Sequence, residues 1–287
     1  MRLHPATFDQ IRKVVHDLCG VVVAGDKDYL VVSRLGPVLE RNGLPSYEAL
    51  VLGLRGPDSL RLQEQVVEAI TTRETSFNRD GHPFEGLRRS ILPELAARLL
   101  GRRAAAGPLE ARCRCRVWCS AVATGQEAYS VAMAVSDFLA GRPGLSLTAE
   151  DFPILATDIS QDALAVARGG RYTTPELVRG VSPERRARYF RPADGGWVVV
   201  DALRRGIEFR RLNLVRPLPN LGTFDLILCR NLLIYLEDAD RRRLCQALHQ
   251  ALNPGGFLMI GAAESIYGVT DAFSTESVGG TIVHVRR

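Results

Sequence analysis

Val117-Trp118-Cys119-Ser120-Ala121-Val122-Ala123-Thr124-Gly125-Gln126-Glu127 decides how the rest of this chain is read. It opens as a short apolar run, passes through small side chains and one glycine, and leads into helically spaced Val131, Val135, Phe138 and Leu139. A buried strand, a tight turn and a covering helix form the first unit of a parallel sheet clothed on both faces. Gly141 is placed to stop that helix. Four further apolar runs predict strands: Ile154 to Ile159, Phe209 to Leu214, Phe224 to Cys229 and Phe257 to Ala262. Leu244, Leu248, Ala251 and Leu252 predict a helix ahead of the last of them, ended by Asn253-Pro254-Gly255-Gly256. Gly279-Gly280 followed by Thr281-Ile282-Val283-His284-Val285 reads as the second arm of a hairpin, which adds an antiparallel last strand.

Working outward, residues 1–72 are expected to form an all-helical domain. Phe8, Ile11, Val14, Val15 and Leu18 fall at helix spacing, and further helical patches cover Val31 to Leu39, Ser46 to Leu54 and Leu60 to Ile70. Thr71 to Leu87 joins this unit to the sheet domain, residues 73–287, and Gly101 to Gly107 is read as an exposed loop. Residues 170–205 break the strand-helix alternation with turn residues and a strand-like Trp197 to Val200, which marks an inserted subdomain.

Composition narrows the class. Hydrophobic residues make up 46% of 287, enough for a real core. The longest apolar runs fall far short of the roughly 20 residues of a membrane helix, and Met1 to Pro5 has no apolar signal core, so a cytoplasmic protein not inserted in the membrane is expected. Six cysteines spread through apolar segments fit that compartment. Cys113, Cys115 and Cys119 are spaced like metal ligands, but alternation on one strand face is the plainer account, and no metal site is assigned. The formal charge of +5 is carried mostly by arginines after residue 74. No basic stripe interleaved with aromatics is present, so nucleic acid is not expected as a partner.

Ligands of open α/β sheets bind beyond the carboxyl ends of the strands. The first turn there has one glycine, not the three that let a pyrophosphate reach a helix N-terminus, which argues against a nicotinamide dinucleotide. A cofactor without phosphate, such as S-adenosylmethionine, needs only small residues at that place. Asp158, after the second strand, is positioned to accept hydrogen bonds from ribose hydroxyls, and equally to cap the helix that follows. Thr124-x-x-Glu127 matches a capping box, a role that competes with a ligand role for Glu127.

Together these residues resemble the CheR family, the chemotaxis receptor protein-glutamate O-methyltransferases. The resemblance is carried by Thr75-Ser76-Phe77-Asn78-Arg79-Asp80, by Val117 to Ser130, by Ala156-Thr157-Asp158-Ile159, by Arg211-Leu212-Asn213-Leu214 and by Phe224 to Tyr235. Asn253-Pro254-Gly255-Gly256 and Gly261-x-x-Glu264-Ser265 extend it, so that it runs nearly end to end. It implies an α/β fold: a doubly wound, Rossmann-like S-adenosylmethionine-dependent methyltransferase sheet with an antiparallel last strand, an inserted small antiparallel β-subdomain and an N-terminal helical domain. It further implies that Thr75, Arg79, Glu127, Asp158, Ile159, Asn213, Leu214, Arg230 and Asn231 hold S-adenosylmethionine, with S-adenosylhomocysteine as product. Arg79 and Tyr235 match the residues nearest the reacting groups. The implied partners are cytoplasmic helices of chemoreceptor-type proteins, approached by a monomer, and Arg34 and Arg41 on a predicted helix are candidate contacts, with a solvated surface as the competing role. Three departures stand out: Arg73 replaces an asparagine, Asn78 replaces a phenylalanine, and Gln126-Glu127-Ala128 replaces Glu-Glu-Pro.

The chemistry fits a site without a catalytic histidine. A glutamate has an unperturbed pKa of about 4.3, so the nucleophile is ionised at neutral pH and needs no general base. Its attack on a sulfonium joins opposite charges into neutral products, which a dry, well-aligned site favours. Two other readings keep the fold: a cofactor-binding sensor without transfer, and a methyltransferase for another acceptor.

Overall fold

The computed structural model describes residues 3–106 and 113–287. Four helices come first: α1 (Pro5–Cys19), α2 (Asp28–Arg41), α3 (Tyr47–Arg55) and α4 (Leu60–Ile70). Pro5 suits the first turn of α1, where its missing N–H costs nothing, and Ser46 caps α3 by accepting from Ala49 N. The helices close over a core that includes Ile11, Val15, Val31, Leu35, Leu39, Leu50 and Val66, each side chain contributing about 1.5–3 kcal/mol of burial.

After an irregular linker come α5 (His82–Gly86), a π-helical turn (Leu87–Ile91) and α6 (Leu92–Ala106). Residues 101–106, expected as an exposed loop, continue α6; Gly107 lies outside the described residues. Arginine and alanine are strong helix formers. The arginines also find partners on the sheet: Arg102 donates to Asp225 Oδ1 at 2.8 Å, and Arg103 reaches Asp151 and the Cys113 carbonyl.

The sheet domain then alternates as β1 (Val117–Cys119), α7 (Gln126–Ala140), β2 (Ile154–Asp158) and α8 (Gln161–Gly169). An insertion follows, made of β3 (Arg171–Tyr172), α9 (Thr174–Val178), α10 (Pro183–Tyr189), β4 (Phe190–Ala193), β5 (Gly196–Val199) and α11 (Asp201–Arg204). The chain returns through β6 (Ile207–Arg211), β7 (Phe224–Cys229), α12 (Asp238–Ala251), β8 (Leu252–Ile260), β9 (Phe273–Val278) and β10 (Thr281–Arg286). The main sheet has the order β6-β2-β1-β7-β8-β10-β9, and β3, β5 and β4 form a separate antiparallel sheet. Pairing is parallel from β6 to β8, while β10 runs antiparallel to both β8 and β9.

Alternation divides the sheet's two faces. Val117, Cys119, Leu226, Leu228 and Phe257 pack with α7, whereas Trp118, Leu155, Ile227 and Leu258 pack with Leu244, Cys245 and Leu248 of α12. Cys115 and Cys119 belong to the first face, and Cys113 packs against it, although the paired strand begins only at Val117. Burial pushes the thiols of Cys115 and Cys119 well up, so both hold their protons at neutral pH. Arg116 lies across the Phe224 ring, 4.4 Å from its centroid.

Strand bounds differ from expectation where the chain bends toward the ligand edge. β1 ends at Cys119, although Ser120 N still bonds the Leu228 carbonyl and Val122 N the Thr157 carbonyl. β6 covers 207–211 rather than 209–214, because after Leu212 N bonds the Asp158 carbonyl the chain turns away from the sheet. β8 takes in 253–256, expected as a turn, through a bulge opposite Phe224 and Leu226.

Candidate active site

Order reversal puts β1 between β2 and β7, and at that switch point the carboxyl ends open onto a cavity of about 970 Å³, counting its mouth. Thr75, Arg79, Glu127, Asp158, Ile159, Asn213, Leu214, Arg230, Asn231 and Tyr235 all line it. The structure therefore brings together every residue expected to hold the cofactor or to lie nearest the reacting groups, from segments as far apart as the linker and the turn after β7.

The turn after β1 is shaped by Gly125 at φ 95°, where a Cβ would lie 2.7 Å from that of Ala167. It exposes Ala123 N, which donates to Asp158 Oδ2 at 2.7 Å, while Ser160 N donates to Oδ1 at 2.9 Å. Burial, opposed by these N–H groups, leaves the Asp158 carboxyl above its ordinary value. The helix-capping role belongs to Ser160, whose hydroxyl accepts from Ala163 N, so Asp158 is left to the cavity.

Glu127 is not half of a capping box. No side chain caps α7, and Thr124 Oγ1 bonds Gln126 Oε1 instead. Gln126 turns to Glu176, 3.3 Å away, and Glu127 faces the cavity, which separates the two neighbours. The Glu127 carboxylate is buried beside Arg230, whose Nη1 donates to Oε2 at 3.3 Å, while Oε1 has no partner among the described residues. Burial outweighs the attraction of Arg230 and, with the nearby Glu264 charge, pushes Glu127 up to about 6. Arg230 is 1% exposed and also holds Asp80 Oδ2 at 2.7 Å and the Arg79 carbonyl at 3.1 Å, so it pins the linker over the cavity.

Arg79 stands partly exposed at the rim, donating Nη1 to the Glu74 carbonyl at 3.0 Å. Asn78 takes φ 47°, a conformation asparagine tolerates better than a phenylalanine would, and bonds the Gly180 carbonyl at 2.7 Å. Arg73 pairs with Glu68 at 2.6 Å, away from the cavity.

Sequence reasoning missed the wall supplied by the helical domain. Cys19, Val21, Ile70, Thr71 and Thr72 line the cavity, brought there by docking that no local pattern announces. Asn213 Nδ2 bonds the Leu18 carbonyl at 2.8 Å, Val22 N bonds the Tyr235 carbonyl at 3.0 Å, and Glu68 accepts from Gln161 N at the start of α8. The Asn213 amide is thus committed to the domain contact. Arg34, a candidate receptor contact, instead donates to the Ile70 carbonyl at 2.6 Å and anchors the end of α4 beside this wall.

Two family models cover nearly the whole chain: the CheR methyltransferase all-alpha domain over residues 6–71 and the CheR methyltransferase SAM binding domain over residues 73–281. The chain belongs to the CheR methyltransferase family. Among its relatives, chemotaxis protein methyltransferase 1 of Pseudomonas aeruginosa is 37% identical over 97% of both chains. Chemotaxis protein methyltransferase Cher2 of Pseudomonas putida is 36% identical over 96% of both. Chemotaxis protein methyltransferase 1 of Vibrio cholerae is 39% identical over 89% of this chain and 87% of that protein. Membership makes S-adenosylmethionine the cofactor of this CheR chain. The site fits it: a largely buried carboxylate at the end of β2 and an unpartnered buried carboxylate oxygen on Glu127 offer acceptors for hydroxyl and ammonium donors. Among the described residues, no helix is long and apolar enough to cross a membrane.

Proposed function

We propose that this CheR methyltransferase esterifies glutamate side chains of chemoreceptor-type proteins, presented on their cytoplasmic helices. The observation that carries the reading is the unspent Oε1 of Glu127, buried and facing the same cavity as Asp158 and the rim arginine Arg79. S-adenosylmethionine, when bound, supplies a methyl group on a positively charged sulfur. Asp158 would hold ribose hydroxyls with lone pairs left by its two backbone bonds, and the free Oε1 of Glu127 would hold a cationic donor. Thr75, Ile159, Asn213, Leu214, Arg230 and Asn231 complete the walls.

The acceptor enters at the mouth. Arg79 has five N–H donors and one is spent on Glu74, so it can fix an incoming carboxylate by paired hydrogen bonds. Tyr235, which lines the same cavity, would orient an oxygen of that carboxylate. No residue takes up a proton, because the acceptor arrives ionised. The helical domain keeps water out by covering one wall, which strengthens the attraction between carboxylate and sulfonium.

The test is transfer of a labelled methyl group from the cofactor to chemoreceptor cytoplasmic fragments, with modified residues mapped by mass. Label on glutamates that is released by mild base supports the reading. Cofactor binding without transfer makes the protein a sensor, and base-stable label gives it another acceptor.

A further inference from the structure

Glu264 touches neither the cofactor cavity nor its mouth, yet its carboxylate is the point to which three backbone N–H groups around the site converge. Oε2 accepts from Asn231 N at 2.6 Å and from Gly261 N at 2.7 Å, and Oε1 accepts from Ile234 N at 3.4 Å. Asn231 lies two residues past the end of β7, and Gly261 directly follows the last residue of β8. Both amides have therefore just lost their place in the ladder, where an unpaired N–H is costly.

We propose that Glu264 is a positioning residue for methyl transfer, tying the ends of β7 and β8 together and thereby setting the turn that carries Asn231 and Tyr235 to the cavity. The inference rests on the reading of that cavity as the methyl-transfer site.

The local geometry is built around this bond set. Asn231 sits at φ 57°, a left-handed conformation that persists only where its surroundings hold it. Glu264 N donates back to the Gly261 carbonyl at 3.0 Å, closing a turn that aims the side chain at Gly261 N. A Cβ at Gly261 would lie 2.7 Å from Glu264 Oε2 and 2.8 Å from Asn231 Nδ2, so only glycine leaves room for the carboxylate. Downstream, Tyr235 N bonds the Leu232 carbonyl, and the Tyr235 carbonyl takes Val22 N from the helical domain. A displaced turn would move the tyrosine and loosen the domain contact together. The Glu264 charge is also near enough to help raise Glu127, though the clasp stands on the bonds alone.

Glu264→Asp draws the carboxylate back by one methylene, out of reach of both strand ends, and is the gentler companion to Glu264→Ala. Well below the melting temperature, Glu264→Ala is expected to lower kcat about 100-fold through misplacement of the turn. Its S-adenosylhomocysteine Kd should rise roughly tenfold, with Glu264→Asp intermediate in both and Glu264→Gln, which keeps an acceptor oxygen, partly rescued. Hydrogen exchange at Asn231 N and Gly261 N of the unliganded protein should accelerate in the Asp and Ala variants. A merely structural glutamate would lower the melting temperature and leave kcat and Kd alone. Wild-type kcat, Kd and amide exchange in Glu264→Asp overturn the proposal. The exchange readout needs neither cofactor nor acceptor, so a wild-type protein that transfers nothing defeats the proposed function while the clasp is still judged.

Discussion

Replacing Glu127 by glutamine should make the unliganded protein relatively more stable as pH rises, and its cofactor binding weaker. In the fold the carboxyl titrates at about 6, against an ordinary 4.5, because burial outweighs the pull of Arg230. An acid raised in this way binds more protons folded than unfolded between those values, so stability falls as pH rises through that window. A shift of that size amounts to about 2 kcal/mol in full, of which roughly 1–1.5 kcal/mol develops between pH 5 and pH 8. Glutamine has no such titration. The wild-type melting temperature should therefore lose roughly 2 °C relative to Glu127→Gln across that range, in paired scanning calorimetry on apo-protein. Binding should move the other way. The orphan Oε1 would lose a charge-assisted partner of about 1.5–3 kcal/mol, so the S-adenosylhomocysteine Kd of Glu127→Gln should rise roughly 10- to 100-fold at pH 8. Wild-type affinity should itself weaken below about pH 6, and the variant's should not. Parallel stability curves for the two proteins, or equal affinities at pH 8, would refute this account of the buried carboxylate.

Arg79→Ala should lower turnover more than it weakens cofactor binding, because the side chain stands at the rim; comparable losses of calorimetric affinity and activity would count against that role. Asp158→Ala should raise the cofactor Kd by about 1.5–3 kcal/mol in free-energy terms, with Ala123 N and Ser160 N left to water, and binding calorimetry reads it directly. Glu68→Ala removes the acceptor that joins α4 to the start of α8 and leaves Arg73 without its nearest carboxylate. It should cost about 1–3 kcal/mol of stability in urea unfolding and weaken cofactor binding without touching the cavity.

The ligand edge was legible because it is local. A strand followed by small residues and a helix places Glu127 and Asp158 at the carboxyl ends of their strands whatever else the chain does, and the hairpin at Gly279-Gly280 closes by its own turn chemistry. What sequence could not separate were roles that depend on a distant partner. Thr124-x-x-Glu127 has capping-box spacing, but Arg230, more than a hundred residues away, claims the carboxylate. Residues 101–106 look like a loop in composition, yet Asp225 and Asp151 give their arginines partners and the helix continues.

Composition and periodicity by themselves determined the layered α/β sheet, the helical start and the antiparallel end, since strand and helix patterns follow from which side chains must leave water, while the cofactor chemistry came from the motifs that resemble the family. Only the tertiary structure decided that the helical domain walls the cavity, that Glu127 and not Gln126 faces it, and that Glu264 clasps two strand ends. Those facts depend on long-range docking and on burial, which set hydrogen-bond partners and proton affinities that no run of neighbouring residues contains.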